Sequence, residues 1–160
     1  MNPGSVFFDE EFAFHDGETG EKLFIVVGTV GAVSVVAKTT SQQNGRGTVY
    51  GCQPDDRFHN FYLPPGSCYF KKSTWVCLDE LYELDPKAML KKRFEGKIKP
   101  VCTIDDSILR LIQDCALISL DVTASQQEVV TACLVQTGTA PAAASNPSTD
   151  AKPDAGGPLR

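Results

Sequence analysis

The chain has 160 residues, a length typical of one domain that buries a single core. Its apolar fraction of 42% and charged fraction of 22% are ordinary for a globular protein, and they exclude a wholly disordered, collagen-like or membrane-spanning chain. The formal net charge of −5, taken as one number, argues against a nucleic-acid-binding protein.

The charge is unevenly distributed along the chain. Residues 1–21 contain six acidic residues and no lysine or arginine, so residues 22–160 carry 15 basic against 14 acidic residues. Residues 87–99 contain six basic residues and one acid. The pattern predicts an acidic segment and a basic segment, which are either two solvated surfaces or surfaces for a charged partner.

The first half of the chain is rich in short apolar runs that end at turn residues, a pattern typical of strands. Strands are expected over residues 12–14, 23–28, 33–41, 48–52 and 58–63. Residues 73–84 fit a strand in their first half and either a strand or a helix in their second half.

The second half of the chain carries helix signals. Asp85 and Pro86 form a typical helix start, and Gly96 is expected to stop that helix. Residues 106–119 predict an amphipathic helix because their apolar side chains recur on one face. A last helix or strand is expected over residues 128–135, with Ser125 and Glu128 as a capping box.

Strands that come first and helices that follow favour an α+β or small-barrel domain over an alternating βαβ sheet. The expected organisation is an acidic arm over residues 1–11, a folded domain over 12–136 and a tail over 137–160. The tail is rich in Pro, Ala, Ser and Gly, which predicts disorder.

The six cysteines stand at positions 52, 68, 77, 102, 115 and 133, and the acidic N-terminus does not resemble a secretory signal. The expectation is therefore a cytoplasmic protein with reduced, buried thiols. No cysteine or histidine has a second ligand at zinc spacing, and glycine-rich phosphate motifs are absent, so neither a metal nor a cofactor is expected. The apolar run over residues 23–37 is too short and interrupted to span a bilayer, so no membrane partner is expected.

Polar side chains that suit RNA cleavage fall at the expected strand ends. Cleavage without a metal needs a base for the 2′-hydroxyl proton, a cation for the charge on the phosphate and an acid for the leaving oxygen. His59 would supply the base or acid, and a lysine or arginine would supply the cation. The alternative is that residues 39–41 satisfy backbone groups and that His59 is a core residue. The set comprises Lys22, Lys38, Thr39, Thr40, Ser41, Arg57 and His59.

Two stretches of the sequence resemble the PemK/MazF toxin family. GEKLFIVVGT and the following VSVVAKTTS resemble the family's opening strands, and the run from FHNFYLPPGS to KRFEGKI resembles its second half. The similarity in order and pattern covers about residues 12–120. It implies an SH3-like β-barrel with C-terminal helices. It also implies a metal-independent endoribonuclease that cuts single-stranded RNA, acts as a homodimer and is neutralised by an antitoxin protein.

The resemblance carries the family's catalytic Thr/Ser onto Thr40, with Ser41 beside it. The family's arginine has no counterpart, and Lys22 is the cation nearest its place. Lysine is a point charge that cannot grip two phosphate oxygens as arginine does.

Additional RNA contacts are expected from cations outside the catalytic set, because clustered lysines and arginines bind phosphates. The alternative function is a catalytically inactive SH3-like barrel that binds protein or RNA, and a third is an unrelated small-barrel regulatory protein. The expected RNA-binding residues are Lys38, Arg57, Lys91, Lys92 and Arg93.

Overall fold

The computed structural model describes residues 1–135 of the chain. The strands are β1 (Ser5–Ala13), β2 (Thr19–Val30), β3 (Val33–Thr40), β4 (Gly51–Gln53), β5 (Asn60–Leu63), β6 (Thr74–Leu84) and β7 (Ile98–Thr103). The helices are α1 (Pro86–Phe94), α2 (Asp106–Leu117) and α3 (Ala124–Ala132). This mixture of one sheet and three helices confirms the α+β class.

All seven strands belong to one antiparallel sheet in the order β4-β5-β6-β3-β2-β1-β7. The end strands β4 and β7 do not pair with each other, so within residues 1–135 the sheet is open. The register shifts between Val26 and Gly28 in β2 and between Ala37 and Thr39 in β3. Such irregularities bend and twist the strands, so the sheet presents two curved faces.

The two faces of the sheet bury separate clusters. On one face, Ile25 and Val27 of β2 pack in the same cluster as Ile112 of α2 and Val130 of α3. On the other face, Phe24 packs with a second cluster that includes Phe7, Phe12, Tyr82 and Met89. Successive side chains of a strand point to opposite faces, so β2, which is buried on both sides, is a continuous apolar run.

The acidic N-terminal segment is part of the sheet, which corrects the expectation of a separate arm over residues 1–11. Strand β1 lies between β2 and β7, and its Val6 and Phe7 are fully buried. Asp9 is also buried, at 1% exposure, and its carboxylate lies 2.7 Å from the ammonium of Lys92. The sequence pattern did not predict this part of the strand because acidic residues stand among its apolar residues.

The sequence predicted the starts of α1 and α2 correctly and the start of α3 too late. Asp85 caps α1 by accepting the backbone N–H of Lys87 at 2.9 Å, as its sequence predicts. Helix α2 covers most of the predicted segment 106–119. Helix α3 begins before residue 128 because the capping box is formed by Thr123 and Gln126, not by residues 125 and 128.

Three further expectations concern residues 73–84, the tail and a membrane-spanning segment. Residues 74–84 form the single strand β6, which removes the ambiguity between strand and helix. The expected tail over residues 137–160 lies outside the described residues. Among residues 1–135, no helix combines the length and the apolarity that crossing a bilayer requires.

A disulfide joins Cys52 of β4 to Cys115 of α2, across 63 positions of sequence. The expectation that every cysteine is a reduced thiol is therefore wrong for this pair. Closing a loop of that length in the unfolded chain corresponds to about 4 kcal/mol of stabilisation by the chain-entropy relation. The bond also ties the short end strand β4 to the helical layer.

Candidate functional site

A groove of about 540 Å³ lies where β2 begins and β3 ends, and the loop of residues 64–73 between β5 and β6 borders it. We call it the β2–β3 groove. It brings together three of the four expected catalytic residues and adds a carboxylate and two lysines. The polar side chains that line it include Glu21, Lys22, Thr40, Ser41, Lys71 and Lys72.

The ends of β2 and β3 are held together beside the groove. The hydroxyl of Thr39 donates a hydrogen bond to the carbonyl oxygen of Leu23 at 3.1 Å. Phe24 and Lys38 form the last pair of the antiparallel ladder at this end, and Lys22 and Thr40 lie two positions beyond it, where both line the groove. The Thr39–Leu23 hydrogen bond therefore keeps the strand ends that carry Thr40 and Lys22 at the same groove.

The hydroxyls at the end of β3 have unequal roles. Thr39 is buried and uses its hydroxyl on the backbone, as the structural alternative in the sequence analysis predicted. Thr40 accepts the backbone N–H of Gln42 at 3.1 Å, which leaves its own proton available for donation. Ser41 is exposed beyond the strand end. Thr40 and Ser41 therefore offer hydroxyl donors to an anion in the groove.

The loop over residues 64–73 supplies the cations that the sequence analysis did not single out. Phe70 is buried, and its backbone N–H donates to Ser67 while its carbonyl accepts from Gly66. This turn anchors the loop and leaves Lys71 and Lys72 exposed at the groove. The sequence pattern that could have identified these lysines is the FKK run at residues 70–72. The basic segment over residues 87–99 was selected instead because it contains more lysines and arginines.

The charge of the groove favours an anion. Lys22, Lys71 and Lys72 contribute three positive charges, and Glu21 is the one carboxylate among the described residues that line it. Within residues 1–135, none of these three lysines takes part in an ion pair. Their charge is therefore available to a ligand such as a phosphodiester.

His59 does not lie with these residues. It is only 8% exposed, and its Nε2 lies 2.9 Å from the carbonyl oxygen of Cys115. Because a carbonyl only accepts, Nε2 carries the proton and donates it. His59 thus fastens α2 to the sheet, and its expected role as the base or acid in the groove has no support in this geometry.

The same histidine belongs to the one cluster of possible metal ligands found within residues 1–135. The Sγ atoms of Cys52 and Cys115 and an imidazole nitrogen of His59 lie within 4.8 Å of one another. Zinc binds these atom types, but it binds thiolates, and the two sulfurs are joined in the disulfide. The cluster is therefore a crosslink in this state. The spacing argument missed it because the three residues come from different parts of the chain.

Lys38, an expected RNA-binding residue, is directed to an internal partner. Its ammonium donates to the carboxylate of Glu80 and lies 5.9 Å from the ring centroid of Tyr82. Burial acts to raise the pKa of Glu80, but its hydrogen bonds with Lys38 and His15 and the charge of Lys38 outweigh burial, so the pKa is below its ordinary value. Burial and the neighbouring Glu80 raise the pKa of Tyr82, which keeps its hydroxyl protonated.

Three of the six basic residues over residues 87–99 form ion pairs with acids of strand β1. Lys92 pairs with Asp9, Lys97 pairs with Glu11 at 2.7 Å, and Lys99 pairs with Glu10. The hydrogen bond and charge of Lys97 hold the pKa of Glu11 below its ordinary value. The two charged segments that the sequence separates therefore bind each other.

The remaining expected RNA contacts lie outside the β2–β3 groove. Lys91 and Arg93 are exposed on α1, and the ammonium of Lys91 is 4.0 Å from the carboxylate of Glu95. The guanidinium of Arg57 lies 5.1 Å from the ring centroid of Phe58. Of the cations named from sequence, only Lys22 lines the groove.

Comparison of the chain with protein-family models found no match. A search of curated proteins found no match either.

Proposed function

We propose that the chain is a metal-independent endoribonuclease of the PemK/MazF type that cleaves single-stranded RNA in the β2–β3 groove. The observation that carries the proposal is the union of Lys22, Thr40 and Ser41 with Lys71 and Lys72 in one groove. An SH3-like barrel, a homodimer and an antitoxin partner belong to the same proposal, and the antiparallel, bulged sheet is compatible with such a barrel.

The groove has the features that single-stranded RNA requires. Its volume of about 540 Å³ is in the range of sites for small organic molecules, so it accommodates a short nucleotide segment. Three lysines attract the phosphates. The ring of Tyr69 is 53% exposed at the groove and offers a face on which a base can stack.

In the proposed reaction, the ribose 2′-oxygen attacks the adjacent phosphorus. Glu21 accepts the 2′-hydroxyl proton, since His59 is not at the groove. The ammonium of Lys22 and the hydroxyl of Thr40 stabilise the negative charge on the phosphorane oxygens.

The bond from phosphorus to the 5′-oxygen then breaks. A lysine ammonium, from Lys71 or Lys72, protonates the leaving oxygen. The products are one fragment with a 2′,3′-cyclic phosphate and one with a 5′-hydroxyl. No step requires a metal ion or a cofactor.

One observation favours the second candidate, a protein- or RNA-binding module without catalysis. The groove lacks an imidazole, and lysine stands where the family has arginine, so both the base and the phosphate clamp are weaker than in the resembled pattern. Such a module would bind RNA through the same lysines and leave it intact.

The test is to incubate the purified protein with a long single-stranded RNA in EDTA. The variants are Thr40→Val, Lys22→Ala and Glu21→Gln, with Thr131→Val, an exposed threonine of α3, as the matched control. The expected result is 2′,3′-cyclic phosphate ends from the wild type and control, and a loss of about tenfold or more in each groove variant. RNA that binds and stays intact would instead establish the binding module. Cleavage that all three groove variants retain would overturn the site.

A further inference from the structure

The loop that borders the groove is in contact with the edge strand β7 through two sulfur atoms. The Sγ atoms of Cys68 and Cys102 lie 3.0 Å apart and are not bonded. Unbonded carbon atoms pack at about 3.5–4.0 Å, and sulfur is larger than carbon. The two thiols are therefore closer than ordinary packing brings them, and they approach the distance at which a bond forms.

The backbone of Cys68 is held in an unusual conformation. Its φ of 50° lies in the left-handed region, which is sterically unfavourable for a residue with a Cβ atom. Strain of this kind concentrates at functional positions. Here the conformation belongs to the turn between Ser67 and Phe70, and it aims the thiol at Cys102 and at the carbonyl oxygen of Thr103, 3.6 Å away.

The two cysteines differ in accessibility. Cys68 is exposed, whereas Cys102 is half-buried in β7. Burial and the neighbouring Cys68 raise the pKa of Cys102 to about 12, so Cys102 is protonated at neutral pH. An oxidant from solution therefore meets Cys68 first, and Cys102 is the partner already in place behind it.

The other free cysteines are not placed to compete within the described residues. Cys77 of β6 is buried, and burial raises the pKa of its thiol. Cys133 donates its thiol proton to the carbonyl oxygen of Thr29 at 3.1 Å.

We propose that Cys68 and Cys102 are a reversible dithiol–disulfide pair that crosslinks the groove loop to β7. The oxidant is a low-molecular-weight disulfide of the glutathione class. The Cys68 thiolate attacks one sulfur of that disulfide, whose bond breaks and releases one small thiol.

The second step closes the crosslink. Cys102 loses its proton to water and its thiolate attacks the Cys68 sulfur; the bond between that sulfur and the small thiol breaks, and the small thiol leaves as a thiolate that takes up a proton. Two protein thiols are thereby oxidised to one disulfide, and one small disulfide is reduced to two thiols. A reducing dithiol reverses the reaction.

The crosslink would act on the candidate site because the next residues of the loop line it. The four positions after Cys68 include Tyr69, Lys71 and Lys72, and a bond at Cys68 restricts the motion of all three. This effect on RNA rests on the proposed function, whereas the crosslink itself does not.

The test equilibrates the full chain with mixtures of oxidised and reduced glutathione, quenches with acid and blocks free thiols with a maleimide. Tryptic peptides 58–71 and 98–110 contain one cysteine each, so mass spectrometry identifies their linkage directly. We expect the linked pair under oxidising mixtures, its loss with dithiothreitol and in Cys68→Ser, and its persistence in the matched control Cys133→Ser. Recovery of both peptides as maleimide adducts, or as two separate glutathione adducts, would overturn the proposal.

A second measurement reads the loop itself. Amide hydrogen exchange over residues 67–72 is expected to slow at least severalfold in the oxidised protein and to stay unchanged in Cys102→Ser. Failure of the proposed function and failure of the proposed cysteine pair give different results. A crosslink in a protein that never cleaves RNA contradicts the proposed function alone, and RNA cleavage without a crosslink contradicts the pair alone.

Discussion

The hydroxyl of Thr39 donates to the carbonyl oxygen of Leu23 at 3.1 Å, and this contact fastens the end of β3 to β2 beside the candidate site. The neighbouring positions, Lys22 and Thr40, both line the groove. A buried side chain with a structural role thus sets the geometry of two side chains that meet the solvent.

Removing this hydroxyl tests that arrangement. Thr39→Val keeps the shape of the side chain and leaves the carbonyl of Leu23 without its donor, so we expect a loss of about 1–2 kcal/mol in the free energy of unfolding. Urea titration measures the change. Thr39→Ser, which retains the donor, is the control and should lose less. A loss in Thr39→Ser with none in Thr39→Val would show that the methyl group, and not the hydrogen bond, is responsible.

The loop lysines should dominate the salt dependence of RNA binding. Each phosphate contact contributes about −0.7 to the slope of log K against log salt concentration for single strands, so the double variant Lys71→Ala/Lys72→Ala should flatten the slope by about 1.4. The double variant Lys91→Ala/Arg93→Ala on α1 is the matched control. If the slope instead changes only in the control, the phosphates follow α1 and the β2–β3 groove is not the RNA site.

The buried carboxylate of Asp9 should be structural. It accepts from the Lys92 ammonium at 2.7 Å and from the Glu11 backbone N–H at 3.0 Å. Breaking a buried pair costs about 3–5 kcal/mol, and the partial exposure of Lys92 reduces this, so we expect Asp9→Ala to lose about 2–3 kcal/mol. Chemical unfolding checks the value against Glu18→Ala, an exposed acid of the adjoining loop. A loss below about 0.5 kcal/mol would contradict the role of this pair.

Glu80 should make stability depend on acid pH. Its folded pKa is lowered, so its contribution is present above the unfolded value near 4.5 and is lost as pH falls through the folded pKa. The midpoint temperature of thermal unfolding should fall less steeply between pH 7 and pH 3 in Glu80→Gln than in the wild type. Glu83→Gln, an exposed position on the same strand, is the control. Parallel curves for the wild type and Glu80→Gln would refute the prediction.

Much of the secondary structure was predictable because its causes are local. The cap of Asp85 on α1 and the amphipathic face of α2 depend on residues a few positions apart. For β1, the sequence pattern predicted only the last residues of the strand, because acids interrupt the apolar residues that precede them. The buried carboxylate of Asp9 is tolerated in the sheet because the ammonium of Lys92 pairs with it.

The candidate site was predictable in part for the same reason. Lys22, Thr40 and Ser41 were identified from the ends of predicted strands, and the antiparallel pairing of β2 with β3 brings such ends together. Lys71 and Lys72 were not identified, because their place at the groove depends on how the loop over residues 64–73 folds back. His59 was assigned to the site, yet its imidazole is buried against Cys115.

The sequence by itself determined the α+β class, the starts of α1 and α2 and the strand ends that carry hydroxyls and cations, because these follow from periodicity and capping over short distances. Tertiary structure alone decided which distant groups meet. It joined the acidic segment to the basic one, bonded Cys52 to Cys115 and set Cys68 against Cys102. Such contacts depend on the sheet order and on packing across many positions of sequence, which local patterns do not encode.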